Sequence, residues 1–204
     1  FDGVSTKLAG FRSYFVFNLD EVNNFNPDHP DMFAGMGANP QVDEFVRRTG
    51  ATITYGGDRA CYWYQEDRID MPPRSRFRDT LHTSADEGFY STLVHELVHW
   101  TKRASRANRP AFQGTAKEAY AFEELVAELG AAIICTRFDQ RIEPRADHAA
   151  YLKGWLSVLE YNFDHFYRAL KLAQIAAHWL YRQTDMAPEG WSRDYLLGLD
   201  ADAD

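Results

Sequence analysis

Two histidines four residues apart, His95 and His99, flank a glutamate in the string His95-Glu96-Leu97-Val98-His99. On an α-helix, positions i and i+4 lie one above the other on the same face, so both imidazoles can grip one divalent cation from the same side. Glu96 lies beside them, within reach of a water on that cation, where a carboxylate serves as general base. The chemistry of such a set is hydrolysis of a carbonyl compound. At the chain's own His and Glu frequencies an accidental match is expected in roughly 1% of chains this long. The ordinary alternative is two surface histidines on an amphipathic helix. The setting weighs against it, because Phe89-Tyr90-Ser91-Thr92-Leu93-Val94 leads into the string as an apolar, helix-patterned run. Ser84-Ala85-Asp86-Glu87 supplies a capping box to open that helix.

A hydrolytic zinc takes three protein ligands and keeps one position open for water. The third donor is expected downstream, in Phe122-Glu123-Glu124-Leu125-Val126-Ala127-Glu128. Thr115-Ala116-Lys117-Glu118 is a second capping box, opening a helix that runs to about Arg137. On that helix Glu124 and Glu128 are i, i+4 partners and share a face with Ala121 and Ala131, where the backbone can approach another helix. Glu123 has only Ala127 one turn on. Glu124 is therefore the expected ligand. Glu128 is expected to accept the N–H of a ligating histidine and fix its tautomer, and it is the next candidate for ligand. The plain alternative makes all three glutamates a solvated face opposite a stripe of Phe122, Leu125, Val126, Leu129 and Ile133. The remaining histidines suit less well: His29 lies in a Pro-rich stretch, His148, His165 and His178 fall on late helices, and His82 precedes the capping box. Tyr120, Tyr62 and Arg59 are candidate donors to an oxyanion. A structural zinc is disfavoured, since such sites are cysteine-rich and closed and neither Cys61 nor Cys135 is near the string.

These residues need a scaffold. Phe11-Arg12-Ser13-Tyr14-Phe15-Val16-Phe17-Asn18 reads as a strand, followed by a long loop over 23–40. A short helix is expected from Pro40 to Arg48, with Gly50 just past its end. Strands follow at 51–55, 60–64 and 68–71, with Gln65-Glu66-Asp67 as a hairpin turn and Pro72-Pro73 ending strand character. From there the pattern is helical, including stretches at 147–160 and 162–182. The expectation is one α+β domain over 1–204, strand-rich to about residue 74 and helical beyond: a small, mostly antiparallel sheet followed by packed helices that include the His-Glu helix.

The whole chain sets bounds. Its 204 residues carry 22 Lys and Arg against 30 Asp and Glu, a net charge of −8 with no basic tail, so nucleic-acid binding is not advertised. Lys102, Arg103, Arg106 and Arg109 form one short basic run, read first as cations at a helix C-terminus with a solvated loop and second as a strip that guides an acidic substrate or DNA. The two cysteines read as buried free thiols. No apolar run reaches the length of a membrane span and no signal peptide is visible at the start, so a cytoplasmic protein is expected. The chain begins at Phe1 rather than Met, as a fragment of a longer protein would.

Several strings together carry a resemblance. Tyr55-Gly56-Gly57-Asp58-Arg59-Ala60, Met71-Pro72-Pro73, His95-Glu96-Leu97-Val98-His99-Trp100-Thr101 and Glu123-Glu124-Leu125-Val126-Ala127-Glu128-Leu129-Gly130-Ala131-Ala132 are similar to the C-terminal part of the ArdC-type antirestriction proteins. Val16-Phe17-Asn18, His148-Ala149-Ala150-Tyr151 and Trp155-Leu156 also fall where that family has similar strings. The resemblance implies a zincin-like metallopeptidase fold, zinc as cofactor, His95, His99 and a glutamate of the 123–128 string as ligands, and Glu96 as catalytic base. It leaves the choice between Glu124 and Glu128 open. It further implies a mobile-element protein acting on a polypeptide, in which this part follows an N-terminal single-stranded-DNA-binding domain. The chain matches only the peptidase part, and its acidic charge agrees that these residues do not themselves bind DNA. The competing reading is a non-catalytic antirestriction module on the same scaffold, acting on single-stranded DNA or on a restriction enzyme.

Overall fold

A computed structural model of the chain describes residues 39–141 and 164–189, all within one unit that spans Gly35–Asp204. The strand expected at 11–18, His29, His148 and the helix expected at 147–160 lie outside those residues.

Helix α1 (Pro40–Thr49) starts where Asn39 accepts from the N–H groups of Gln41 and Val42 at 3.1 and 3.2 Å. Pro40 at its first position costs nothing, since that N–H has no helical partner. It ends at Gly50, whose φ of 73° is left-handed, a conformation glycine adopts without steric cost. Its buried face, Val42, Phe45 and Val46, is turned toward the last helix.

Three short strands follow: β1 (Thr52–Tyr55), β2 (Cys61–Trp63) and β3 (Arg68–Met71). Their order is β1-β3-β2. β1 runs parallel to β3, with Ile53 opposite Ile69, and β2 runs antiparallel to it, with Tyr62 opposite Ile69. The sheet is therefore mixed, and the β2–β3 hairpin closes at the expected Gln65-Glu66-Asp67 turn, where Asp67 takes a φ of 52°. Among the described residues β2 is an edge strand, and it packs beside α2.

Helix α2 (Ala85–Trp100) opens with the expected capping box: Glu87 N–H donates to Ser84 Oγ at 3.2 Å, and Ser84 N–H donates to Glu87 Oε2 at 2.8 Å. Leu93, Val94, Leu97 and Val98 are all buried. A helix apolar on every side belongs in the middle of a fold, and α2 lies against β2, β3, and the helices that follow. Burying each leucine contributes roughly 1.5–3 kcal/mol, so the apolar residues of the motif hold its polar ones in place.

Helix α3 (Ala116–Arg137) opens with the second capping box, Thr115 and Glu118. It crosses α2 at Gly130, where a Cβ would sit 2.9 Å from both methyls of Val98. Only glycine permits that approach, and Val98 immediately precedes His99. Helix α4 (Asp164–Thr184) packs on α3, with the Tyr181 hydroxyl 3.5 Å from the Ile133 carbonyl. Trp179 of α4 meets Trp100 edge-on, ring centroids 5.6 Å apart. The layout is a small sheet on one side of α2 and helices on the other, the α+β arrangement expected.

Candidate metal centre

α2 stacks His95 and His99 with ring centroids 4.8 Å apart and their Nε2 atoms 3.1 Å from one another. From α3, Glu124 reaches between them: Oε2 lies 3.4 Å from His95 Nε2 and Oε1 lies 3.4 Å from His99 Nε2. One donor atom from each of the three residues falls within 4.8 Å of the others, and among the described residues this is the group that could hold a metal. Two imidazole nitrogens aimed at each other need a proton or a cation between them. Two nitrogens and a carboxylate oxygen on one point are a donor set that fits a divalent transition metal.

The outer nitrogens are held as well. His95 Nδ1 lies 3.4 Å from Glu128 Oε1. His99 Nδ1 lies 3.1 Å from Glu123 Oε1. A carboxylate on the far nitrogen fixes the ring's tautomer and orientation and raises its basicity toward a metal. Along its own helix Glu123 has no polar partner one turn on. Its partners are on other elements: His99 of α2 and Arg109, whose guanidinium donates to both Glu123 oxygens at 2.9 and 3.1 Å. Spacing within one helix carries no sign of that.

Electrostatics follow from the crowding. Burial works to lower the pKa of His99, but hydrogen bonds to Glu123 and Glu124 outweigh it and hold the ring at about 10. His95 is also raised, by Glu124 and Glu128 acting against its burial. Burial works to raise Glu123, yet Arg109 and His99 keep it at about 2. Glu124 stays well below the usual carboxylate range despite burial, because both imidazoles face it. Four carboxylates, counting Glu96, surround two rings and one guanidinium. Such a pocket favours added positive charge, whether protons or a cation.

Glu96, 5% exposed, is held from the opposite side, accepting the Tyr62 N–H of β2 on Oε2 at 2.8 Å. The site opens into a cleft of about 670 Å³, lined on one wall by Arg59, Tyr62, Tyr64 and Lys102, and on another by Phe112, Tyr120 and Phe122. All three candidate oxyanion donors line it. The Tyr62 hydroxyl is turned to Asp67 at 2.9 Å, Arg59 lies over the Trp63 ring at 5.4 Å, and Tyr120 stands one turn before Glu124 on α3. Cys61, expected as a buried thiol remote from the motif, also lines the cleft and is only half-buried. Cys135 is buried as expected and is free. His82 is exposed, His178 is buried in α4 and His165 packs edge-on to Phe112; none joins the centre.

The basic run is mostly neither solvated nor free. Arg106 stacks on Trp100, its carbon 3.6 Å from the ring centroid, and pairs with Asp67. Arg103 lies 3.2 Å from the same carboxylate and donates to the Tyr64 carbonyl. Together they bind the β2–β3 hairpin to the end of α2. Arg109 is buried. Lys102 alone of the four has no described charge partner.

Residues 40–172 match the family model described as "Zincin-like metallopeptidase". The chain belongs to that family. Among solved structures, this zincin-like chain is similar to the antirestriction protein ArdC from plasmid R388. In the Mn(II)-bound form the identity is 32% with a TM-score of 0.60, over 78% of this chain and 56% of that one. In the metal-free form the TM-score is 0.62, over 85% and 61%. It is 30% identical over 84% of its length to the uncharacterized protein y4eC of Sinorhizobium fredii, covering 54% of that protein. It is 34% identical over 71% of its length to a DNA primase TraC of Escherichia coli, covering 10% of it. The chain thus spans about half or less of each of these curated relatives. The family, the α+β zincin-like fold and the kinship with ArdC agree with the resemblance drawn from the strings. No described helix is long and apolar enough to cross a membrane.

Proposed function

We propose that this chain is a zinc-dependent peptidase domain in which His95, His99 and Glu124 hold the metal and Glu96 is the general base. The observation that carries the proposal is the convergence of both Nε2 atoms and one Glu124 carboxylate on a single point, with Glu96 fixed beside it. A divalent metal held there supplies Lewis acidity, bringing the pKa of coordinated water toward neutrality and polarising a carbonyl. Two imidazoles and a carboxylate suit zinc, although the ArdC neighbour was solved with Mn(II).

The chain's own residues do the rest. Glu96 receives the proton of the attacking water and returns it to the leaving amine. The Tyr62 N–H orients the Glu96 carboxylate without touching substrate. Glu128 and Glu123 keep the two rings turned inward. β2 borders the cleft as an edge strand, so an extended polypeptide can lie beside it. Of the three oxyanion candidates, the Tyr62 hydroxyl is given to Asp67, and Tyr120 lines the cleft one turn before Glu124.

The domain's setting is proposed as an antirestriction or mobile-element protein of the cytoplasm, with single-stranded DNA reached through a separate domain. The names of ArdC and TraC describe work around DNA rather than on peptides, which supports a second reading as a non-catalytic module acting on DNA or a restriction enzyme. Glu96→Gln separates the two. The peptidase reading expects about one metal per chain by elemental analysis in both forms, with peptide hydrolysis down roughly 10²–10⁴-fold in the variant. Unchanged turnover in the variant, or no metal in the native protein, removes it. Antirestriction that survives the substitution favours the second reading.

A further inference from the structure

Three glutamates on α3 crowd two histidines, yet only one carboxylate lies between both rings. We propose that Arg109 makes that selection: it is a positioning residue that reserves Glu123 for the outer nitrogen of His99 and leaves Glu124 to face the cation. The inference rests on the metal-centre reading above and adds to it the group that decides which glutamate is the ligand.

The geometry is that of a clamp on His99 from three directions. The Arg109 side chain is 1% exposed. Two of its nitrogens donate to Glu123, NH1 to Oε2 at 3.1 Å and NH2 to Oε1 at 2.9 Å. NH2 also donates to the Val98 carbonyl at 2.9 Å, and Nε lies 3.4 Å from Thr101 Oγ1. Val98 and Thr101 flank His99 along the chain, and Glu123 Oε1 meets the ring itself at 3.1 Å. One guanidinium thus holds the backbone before His99, a hydroxyl after it and the carboxylate that orients it.

Charge and shape both matter. Without a counter-ion, the partly buried Glu123 carboxylate is a competitor for any cation held at the two Nε2 atoms. The planar fork of Arg109 occupies both its oxygens and fixes their plane, which an ammonium cannot do. The cost of bringing a guanidinium out of water is offset because each of its three nitrogens finds an acceptor. A purely structural account makes Arg109 a buried pair that staples the 101–115 loop to α3. The two accounts part at the metal: a staple changes stability and leaves a folded centre unaltered, whereas a selector alters the centre in protein that is still folded.

The test uses the full chain loaded with Co(II) as a spectroscopic probe and titrated with Zn(II) against a chromophoric chelator. Arg109→Met and Glu123→Gln are each expected to weaken metal binding about 10–100-fold, the usual effect of losing a partner of a ligating histidine. Each is expected to change the Co(II) absorption bands while a cooperative melt is kept. The double variant is expected to lose no more than the worse single one, since both act through one link. Arg109→Lys keeps the charge without the fork and is expected to recover only part of the affinity. Native metal affinity and native Co(II) bands in folded Glu123→Gln overturn the inference, as do additive losses in the double variant. Should Arg109→Met fail to fold, Glu123→Gln and Arg109→Lys still decide the matter. A native chain that takes up no metal sinks the metal-centre reading and this inference together; native uptake with indifferent variants sinks the inference alone.

Discussion

The two walls of the cleft are built on opposite principles. On the α3 wall the carboxylates are little exposed and internally compensated: Glu123 is answered by Arg109 and His99, Glu124 by both imidazoles, and Glu128 by His95. The β2 wall is half-exposed and aromatic, and its cations Arg59 and Lys102 have no carboxylate within ion-pair distance among the described residues. Compensated charge inside low dielectric is rigid and fixes a metal's ligands. Uncompensated charge at a solvated rim is available to whatever enters. In the proposed peptidase the first wall serves the reaction and the second the substrate.

The largest effects are expected on the first wall. In the proposed centre Glu124→Ala would remove a ligand and is expected to abolish retention of metal through desalting, whereas Glu128→Gln would remove only an orienting partner and is expected to weaken binding about 10–100-fold. Chelator competition measures both. The reverse ranking would transfer the ligand role to Glu128 and dissolve the contrast between a donor between the rings and a support behind one of them.

A smaller effect on the same wall tests how the helices are brought together. Gly130→Ala places a methyl 2.9 Å from the Val98 side chain, and valine on a helix has little rotamer freedom with which to yield. Overpacking of this kind costs typically 1–3 kcal/mol, against a gain of about 1 kcal/mol in helix propensity over glycine. The balance is a destabilisation of about 1 kcal/mol in a denaturant melt, with weakened metal binding as α3 moves away from α2. A more stable variant with native affinity would mean that the close crossing does not set the distance from Glu124 to the rings.

Legibility differs between the walls for the same physical reason. What depends on local periodicity could be read from the chain: both capping boxes, the hairpin turn, the stacking of His95 over His99 and the face shared by Glu124 and Glu128. What depends on elements meeting could not. Arg109 lies fourteen residues from Glu123, and no helical or strand period links the two positions. Read along the chain it belongs to a basic run; folded, it is among the most buried charges described. Cys61 likewise reads as one residue of an apolar strand, and only the docking of β2 beside α2 brings it to the cleft. Glycine at 130 was visible as a residue, but its purpose is a distance between two helices. The sheet's parallel pairing is a matter of strand order, which strand patterns do not encode.

Asp67 probes how firmly the second wall is anchored. Its carboxylate is held below the ordinary value of 3.8, first by its hydrogen bond from Arg106 and also by that from Tyr62, with burial acting in the opposite direction. A depressed folded pKa means that its stabilisation is complete above the unfolded value and is lost as pH falls below 3.8 and through the folded one. Partial exposure limits the amount to about 1 kcal/mol or less. Asp67→Asn is expected to lower the melting temperature slightly at neutral pH and to narrow the difference between melts at neutral pH and near pH 3. An equal acid sensitivity in both proteins would show that the hairpin latch carries no titrating charge.

The last expected effect bears on the substrate proposed for the cleft. An exposed ion pair is worth about 0.2–1 kcal/mol, so two rim cations together discriminate between acidic and basic peptides by roughly 2–30-fold. With Glu96→Gln to prevent turnover, a fluorescent peptide rich in Asp and Glu is expected to bind more tightly than its Lys and Arg counterpart, and the gap is expected to close as salt screens the charges. Arg59→Glu with Lys102→Glu is expected to reverse the order without changing metal content, because neither residue touches the ligands. Binding of oligothymidylate in preference to either peptide would assign the aromatic, cationic wall to single-stranded DNA. A charge reversal that leaves peptide preference untouched would show that the uncompensated wall is ordinary surface, and the contrast with α3 would then concern burial alone.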